Sequence, residues 1–444
     1  MIVMKFGGSS VANPEVIDRV LDIASREIGR GIVLVASAMG KTTDRLVAAK
    51  EAAMLGDLEG SKAMLDDLHA YHRETAEAFL TGEFREAALG RIGGYFTELR
   101  SLVHGLALLR ECTPRSSDAV LSFGELLSTA IIASRARERG IACELSDSRE
   151  FMITTEDFTG AVPRYDLANP RMREVLRPRP GHLVIAQGFI GRTETGVTTT
   201  LGRGGSDFTA TIIGAALDAE EVQIWTDVNG IMTCDPRIVP EARTVARISY
   251  EEAAELAFFG AKVVHPSTIQ PAVEKGIPVL VKNTRDPEGR DTVITRIDEE
   301  NGILALAGKK NITLVTVVSS RMLNAHGFLR RIFAVFERHR TCVDLVATSE
   351  VSVSMTIENT ANLDGILREL SEIGAAHAEQ DKAILCLVGR GLWKEPSFLV
   401  KAFGALGDIP VRMISLGSSD INLSLVVPGK MMDNALRALH EAFF

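Results

Sequence analysis

The chain offers no basis for disulfide chemistry. Its five cysteines, Cys112, Cys143, Cys234, Cys342 and Cys386, are odd in number and widely scattered, with neither CxxC nor metal-ligand spacing. Reduced, mostly buried thiols are expected, with no bound zinc and no structural metal. Long apolar runs are missing as well. None approaches the roughly 20 residues of a membrane span, and Ile2-Val3-Met4 leads straight into Lys5 rather than a signal sequence, so a cytoplasmic protein without a membrane partner is expected. There is no basic excess: 49 Lys and Arg stand against 58 Asp and Glu, a net charge of -9, with no lysine- or arginine-rich block. That balance argues against a nucleic-acid partner and requires any anionic substrate to be held by locally placed bases.

At 444 residues the chain exceeds the size at which one core keeps growing, so two or three domains of a soluble α/β enzyme are expected. The richest stretch is Thr198 to Gly214, TTTLGRGGSDFTATIIG. Its threonines suit a strand, Gly202, Gly204 and Gly205 free the backbone, and Ser206 with Asp207 suit a helix N-cap and first turn. Amide groups at such a loop attract anions, and Arg203 can grip a carboxylate with two hydrogen bonds. Asp207 would repel a phosphate unless a metal ion or lysines stand beside it, which points to a charged network around a nucleotide. The plain alternative is an ordinary turn with a capping Asp.

A second strand, glycine loop and helix opens the chain: Ile2 to Phe6, then Gly7-Gly8-Ser9-Ser10, then helical spacing from Glu15 to Ile28. Lys5 lies at the strand's mouth, where doubly wound sheets hold ligands, so its charge can reach a transferring phosphate; a snorkelling edge lysine is the alternative. Gly31 to Ser37 reads as a buried parallel strand. Gly40-Lys41-Thr42 does not complete a P-loop, because Val35 stands where the first glycine is required. Asp44 to Arg110 reads as polar-faced helix, with His69 and His72 on a solvated face. Glu125, early in the next helix, either satisfies the dipole or points into a site.

Lys5-Phe6-Gly7-Gly8-Ser9-Ser10-Val11, Ser122-Phe123-Gly124-Glu125-Leu126, Leu201-Gly202-Arg203-Gly204-Gly205-Ser206-Asp207, Trp225-Thr226-Asp227-Val228 and Phe259-Gly260-Ala261-Lys262-Val263 resemble the motifs of the aspartokinases, in that family's order and across nearly the whole chain. Thr348-Ser349-Glu350-Val351-Ser352-Val353 resembles the monofunctional, lysine-inhibited members. The resemblance implies that Thr43, Glu125, Arg203, Gly204, Gly205 and Ser206 bind the amino-acid substrate, with Glu125 on its α-ammonium. It implies a nucleotide site of Lys5, Gly7, Gly8, Ser9, Thr226, Asp227, Met232, Arg237, Lys262 and Val263, with Lys5 and Asp207 catalytic. Met232 stands where many relatives carry Tyr, which puts nucleotide affinity in question.

Beyond a charged, glycine-rich boundary at Arg285 to Asn301 the chain repeats a β-α-β-β-α pattern, the two copies opening with strands at Ile312 to Val318 and Ile384 to Val388, at an offset of about 70 residues, Val343 matching Val411, as two ferredoxin-like modules do. This agrees with the ACT pair that aspartokinases carry, one module inserted in the other. The expected division is an amino-acid-kinase-type α/β/α sandwich with a mainly parallel sheet over residues 1–297, a first ACT module over 312–383, and a second from 298–311 and 384–444. A lysine site is expected at Met322, Ala325, Phe328, Leu329, Asp344, Ser349, Glu350 and Val351. Amides at Gly327-Phe328-Leu329 can receive a carboxylate, and Asp344 and Glu350, flanking the turn between two strands, can meet lysine's second cation; the plain alternative is a pair of solvated turn residues. Ala325 departs from the Ser of lysine-inhibited relatives.

The reaction implied is ATP plus L-aspartate giving ADP and L-4-aspartyl phosphate, the first step of lysine, threonine and methionine biosynthesis, with Mg²⁺ bridging phosphates and L-lysine inhibiting. A homodimer or dimer of dimers through the ACT modules is expected. The alternatives are a kinase of the same fold acting on another carboxylate, or a non-catalytic amino-acid sensor.

Overall fold

The computed structural model describes residues 1–260, 264–296, 302–322, 326–417 and 419–444. The chain divides into two compact units, one of Met1–Ile231, Ala246–Tyr250 and Val263–Arg296 and one of Met232–Val245, Glu251–Lys262 and Ile297–Phe444.

The strands of the first unit are β1 (Ile2–Phe6), β2 (Ile32–Ala36), β3 (Cys143–Ser146), β4 (Leu183–Gln187), β5 (Ile190–Arg192), β6 (Thr198–Thr200), β7 (Glu221–Thr226), β8 (Arg247–Ser249), β9 (Val279–Asn283) and β10 (Thr292–Thr295). Those of the second are β11 (Gly302–Val318), β12 (Val346–Thr348), β13 (Ser352–Ile357), β14 (Ala375–Arg390), β15 (Met413–Leu416) and β16 (Asn422–Pro428). The helices described are α1 (Pro14–Glu27), α2 (Thr42–Met54), α3 (Leu58–Phe79), α4 (Gly82–Leu109), α5 (Pro114–Leu121), α6 (Phe123–Glu138), α7 (Tyr165–Val175), α8 (Gly205–Ala216), α9 (Tyr250–Phe258), α10 (Pro266–Lys275), α11 (Phe328–Arg338), α12 (Leu363–Ser371), α13 (Pro396–Leu406) and α14 (Met432–Phe443).

In the first unit eight strands form one sheet in the order β3-β4-β2-β1-β7-β9-β10-β8. All neighbours are parallel except β9 and β10. β2 and β4 are buried at every residue, which is why they read as unbroken apolar runs: helices cover both faces of such a sheet. α1 starts cleanly because Asn13 Oδ1 accepts from Val16 N at 3.0 Å and Pro14 needs no donor partner; it buries Ile17, Val20, Leu21 and Ala24. One stretch among the described residues, Pro114–Glu138, is long and apolar enough to cross a membrane, but it is the α5–α6 pair with 83% of its apolar window buried inside the unit. The solvated-face reading of His72 is wrong. The ring is fully buried, Nδ1 bonds Leu68 O at 2.8 Å, and burial pushes its pKa down to about 4. The thiols are less buried than expected: Cys234 and Cys386 are buried, Cys112 and Cys143 half-buried, and Cys342 exposed.

In the second unit the antiparallel sheet runs β12-β13-β11-β14-β16-β15. β11 and β14 are longer than the separate strands expected at Ile312 to Val318 and Ile384 to Val388, because the two pair with each other along nearly their whole length. The pairing register shifts between Lys309 and Ile312, with Asn311 at φ 60° and Asp381 at φ 54° on the two strands. On one side of that break a core gathers Leu306, Leu385, Leu387, Phe398, Leu425 and Leu436. On the other a separate core gathers Val315, Val317, Ile332, Phe336, Val353 and Ile366. Each core therefore packs on one half of a shared pair of long antiparallel strands.

Candidate active site

β1 ends at the carboxyl edge of the sheet between β2 and β7, which points Lys5 into the crevice where open α/β sheets bind ligands. Its Nζ lies 2.6 Å from Asp207 Oδ1, the two side chains being 11% and 15% exposed. Asp207 comes from the first turn of α8, where a carboxylate also meets the positive helix end. The cap itself is not Ser206. α8 begins at Gly205, and Gly204, at φ 71°, takes the cap position with no side-chain bond, so Ser206 and Asp207 both fall inside the first turn. A left-handed residue closes the turn two positions earlier than the serine could, and only glycine does so without strain.

A cavity of about 590 Å³ opens here, walled by Lys5, Gly8, Thr43, Glu125 and the loop from Arg203 to Asp207. It thus brings together every substrate residue expected from the sequence. Gly8 is required by space: a Cβ there would stand 2.9 Å from both Ala38 O and Gly40 O, where the loop after β1 crosses the loop after β2. Thr43 is the second residue of α2 and half-buried. Arg203 is exposed and has no hydrogen-bond or ion-pair partner among the described residues.

Glu125 is 3% exposed in the first turn of α6. Its Oε1 accepts from Ala38 N at 3.1 Å, while Oε2 is sealed from solvent and has no partner. Burial pushes its pKa up to about 8, with the Ala38 amide and the Lys5 charge opposing that rise. An acidic group held near neutrality without a second partner is prepared to receive a cation that enters the cavity.

Among the residues expected to meet a nucleotide, Gly7 N donates to Trp225 O at 3.3 Å, which sets the loop after β1 beside the end of β7, where Thr226 and the exposed Asp227 follow. Ser9 is exposed. Sequence reading passed over the contact that fixes this corner: buried Ser10 Oγ lies 2.7 Å from Thr284 Oγ1, and Thr284 N donates to Thr226 O at 2.8 Å. It also passed over Asp118, a fully buried carboxylate bonded to Thr159 and Thr200 beside the cavity. A single acid inside a helix gives no pattern to read.

Met232 and Arg237 belong to the second unit. There the Met232 sulfur accepts from Thr244 Oγ1 at 3.6 Å, and Arg237 pairs with Asp235 at 2.6 Å, its side chain 85% exposed. Lys262, Val263 and Ala325 lie outside the described residues.

Of the expected lysine-site residues, Phe328 and Leu329 open α11 after Gly327, which caps it at φ 76°; the Phe328 side chain itself is core, and Leu329 is 40% exposed. Ser319 N donates to Val351 O at 2.8 Å, tying the 349–351 turn to the short helix that ends at Met322. Ser349 Oγ and Ser352 Oγ lie 2.7 Å apart, and Glu350 is exposed. Asp344 is not a free turn residue: its side chain is 7% exposed, with Lys309 Nζ 3.7 Å from Oδ1 and Oδ2 buried without a partner, and burial raises its pKa.

Residues 1–283 match the amino acid kinase family and residues 385–443 the ACT domain. The chain is 38% identical over its full length to aspartokinase 1, chloroplastic, of Arabidopsis thaliana, covering 80% of that protein. It is 36% identical over its full length to lysine-sensitive aspartokinase 3 of Escherichia coli, covering 99% of it. Among solved structures, E. coli aspartokinase III in complex with aspartate and ADP (R-state) superposes with a TM-score of 0.85 at 36% identity, covering 100% of this chain and 99% of that one. Likeness over both whole chains, in sequence and in fold, places this protein in the aspartokinase family, as an aspartate kinase.

Proposed function

We propose that the cavity at the end of β1 is the aspartate site, where the terminal phosphoryl group of ATP passes to the substrate's side-chain carboxylate to give L-4-aspartyl phosphate. One observation carries this reading: Glu125, whose buried Oε2 has no partner among the described residues, shares the wall of one cavity with the cations Lys5 and Arg203 and the carboxylates Asp44 and Asp207, the last paired with Lys5. A small molecule with an ammonium at one end and carboxylates at the other fits that distribution, whereas an acetylated amine would leave Glu125 unanswered. The accepting carboxylate, with a reference pKa of about 3.9, is already ionised at pH 7, so no general base is required. Positioning and charge neutralisation remain. Lys5 stabilises the moving phosphoryl group and Asp207 holds Lys5 in place.

Mg²⁺ fits this donor set as a passenger of the nucleotide. No cluster of three metal-ligating side chains occurs among the described residues, and Asp207 is a carboxylate on the glycine loop itself, in keeping with an ion bound by one or two carboxylates plus phosphates. When bound it would neutralise phosphate charge.

Arg203→Ala is expected to raise the KM for aspartate about tenfold or more while the KM for ATP changes little, because a bidentate guanidinium contact to a carboxylate is lost. Hydroxamate trapping of the acyl phosphate, with each substrate varied in turn, measures both. An effect confined to ATP would move Arg203 to the nucleotide half and dismantle the assignment.

The second unit is proposed to carry two ACT modules, residues 312–383 and residues 298–311 with 384–444, following a catalytic domain of residues 1–297, with dimerisation through the modules. The two separate cores on one shared pair of long strands support that division. L-Lysine is proposed to bind the first module, its carboxylate at the start of α11 and its side-chain ammonium near Glu350 and the buried Asp344 Oδ2. Tenfold inhibition requires only about 1.4 kcal/mol of coupling between that site and the active one. Glu350→Ala should therefore lose inhibition by millimolar lysine while uninhibited turnover stays within about twofold, since a surface substitution far from such features costs little. Inhibition retained unchanged in that variant would remove Glu350 from the site.

A further inference from the structure

Behind the wall of the cavity stands a carboxylate that no part of the proposed reaction uses. Asp118, in α5, is completely buried, yet it is fully engaged: it accepts from Thr200 N at 2.9 Å, from Thr200 Oγ1 at 2.7 Å and from Thr159 N at 2.9 Å. Both of its partners face the cavity. Thr200 is the last residue of β6, and two residues on begins the Gly202–Gly205 turn that carries Arg203.

Thr159 is held in an unusual state. Its φ of 72° is a left-handed conformation that a β-branched residue adopts only when its surroundings impose it. The imposed geometry serves the neighbouring turn: Ala161 N donates to Thr200 O at 2.9 Å, and a Cβ on Gly202 would stand 3.1 Å from Thr159 O. The 159–161 backbone therefore forms the support against which the Arg203 turn rests. Burial pushes the Asp118 pKa up, and the three donors from Thr159 and Thr200 oppose that rise. A carboxylate buried at such cost depends on these donors.

We propose that Asp118 is a positioning residue for aspartate binding, its carboxylate clamping Thr159 to the end of β6 and so fixing the turn from which Arg203 reaches the substrate. This rests on the assignment of the cavity to aspartate. Asp118 touches no substrate and acts only through the loop. A role limited to folding would lower stability and leave the binding of the two substrates equally affected or equally untouched. A positioning role separates them.

The test uses the full-length enzyme with Asp118→Asn, Thr200→Val and the double variant, alongside Arg203→Ala. Asn keeps the volume and one oxygen for the two amides, but it removes the charge and turns its NH2 group toward Thr200 Oγ1; Val keeps the shape of Thr200 and removes one donor. Asp118→Asn is expected to raise the KM for aspartate about tenfold, because the charge that strengthens these hydrogen bonds is lost, with the KM for ATP within about twofold. Thr200→Val should move the same constant in the same direction by less, and the double variant should fall short of the product of the single effects, because both act on one clamp. Unchanged aspartate KM in the soluble variants, parallel loss for both substrates, or multiplicative effects would overturn the proposal. If Asp118→Asn does not fold, Thr200→Val decides alone, an unchanged aspartate KM counting against. An Arg203→Ala enzyme with normal aspartate KM refutes the cavity assignment and this proposal with it. A raised value there, beside unaffected Asp118 and Thr200 variants, refutes only the clamp.

Discussion

Lys5→Ala is expected to lower turnover about a hundredfold to a thousandfold while the protein remains folded, the usual loss when one charge contact made in the transition state is removed. Lys5 lies at the mouth of β1, not in the apolar layer beneath it, and its ammonium is 2.6 Å from Asp207 in a sheltered crevice where water screens the pair only weakly. Removing the ammonium leaves Asp207 as an unanswered negative charge beside the phosphates, so binding of ATP should weaken as well. Asp207→Asn acts from the other side: Lys5 keeps its charge but loses the group that aims it, and turnover should fall with little change in either KM. Rates at saturating substrates, with thermal unfolding measured on the same preparations, check both. Near-normal turnover in either folded variant would remove the pair from the chemistry.

The glycine loops and their charged residues were legible because each is a break in a periodic pattern, and breaks are local. Lys5 and Gly8 sit where the apolar strand β1 stops, Arg203 and Asp207 follow the short strand β6, which pairs only with β5, and all four wall one cavity. What the sequence did not reveal depends on contacts between distant segments. Asp118 meets Thr200 across 82 positions and Ser10 meets Thr284 across 274, and neither pair carries a spacing that could announce it. The start of α8 was misplaced for a related reason: Ser206 and Asp207 have cap chemistry, but Gly204 has the backbone freedom, and freedom of φ decided the matter.

The second unit was readable as a repeat and misread in its strand lengths. β11 and β14 continue through Lys309, Lys310, His377 and Glu379, polar residues that look like loop. Lys309, His377 and Glu379 are strand because each lies opposite a partner in a long antiparallel pair, and pairing satisfies the backbone whatever the side chains prefer; Lys310 falls at the shift in register. Asp344 shows the same limit for a site. Its place near a turn suggested an open carboxylate, while the fold sets Lys309 beside it.

Glu125→Gln is expected to raise the KM for aspartate on the order of a hundredfold and to abolish its pH dependence. Glutamine retains the bond from Ala38 N and nearly the volume, so the buried wall should survive; what is lost is the charge that faces the substrate ammonium, a kind of loss that costs roughly 2 to 5 kcal/mol when the pair is desolvated. The pH behaviour follows from the raised pKa of about 8. Below that value the empty enzyme carries a protonated Glu125, and binding an ammonium there must expel the proton. In wild type, the aspartate KM should therefore fall by up to tenfold per unit as pH rises toward about 8 and level off above it. Stability runs in the opposite sense. A carboxyl whose folded pKa lies above its ordinary 4.5 favours the folded state most below that ordinary value, and the unliganded protein loses this contribution as pH rises from there through about 8. Saturating aspartate should restore part of it in wild type and not in Glu125→Gln. Initial rates across this pH range at fixed ATP, paired with melting curves with and without aspartate, give both readings. A wild-type aspartate KM that is flat between pH 6.5 and about 8 would mean that Glu125 is already ionised before the substrate arrives, and the proton-coupled capture of the ammonium would have to be abandoned.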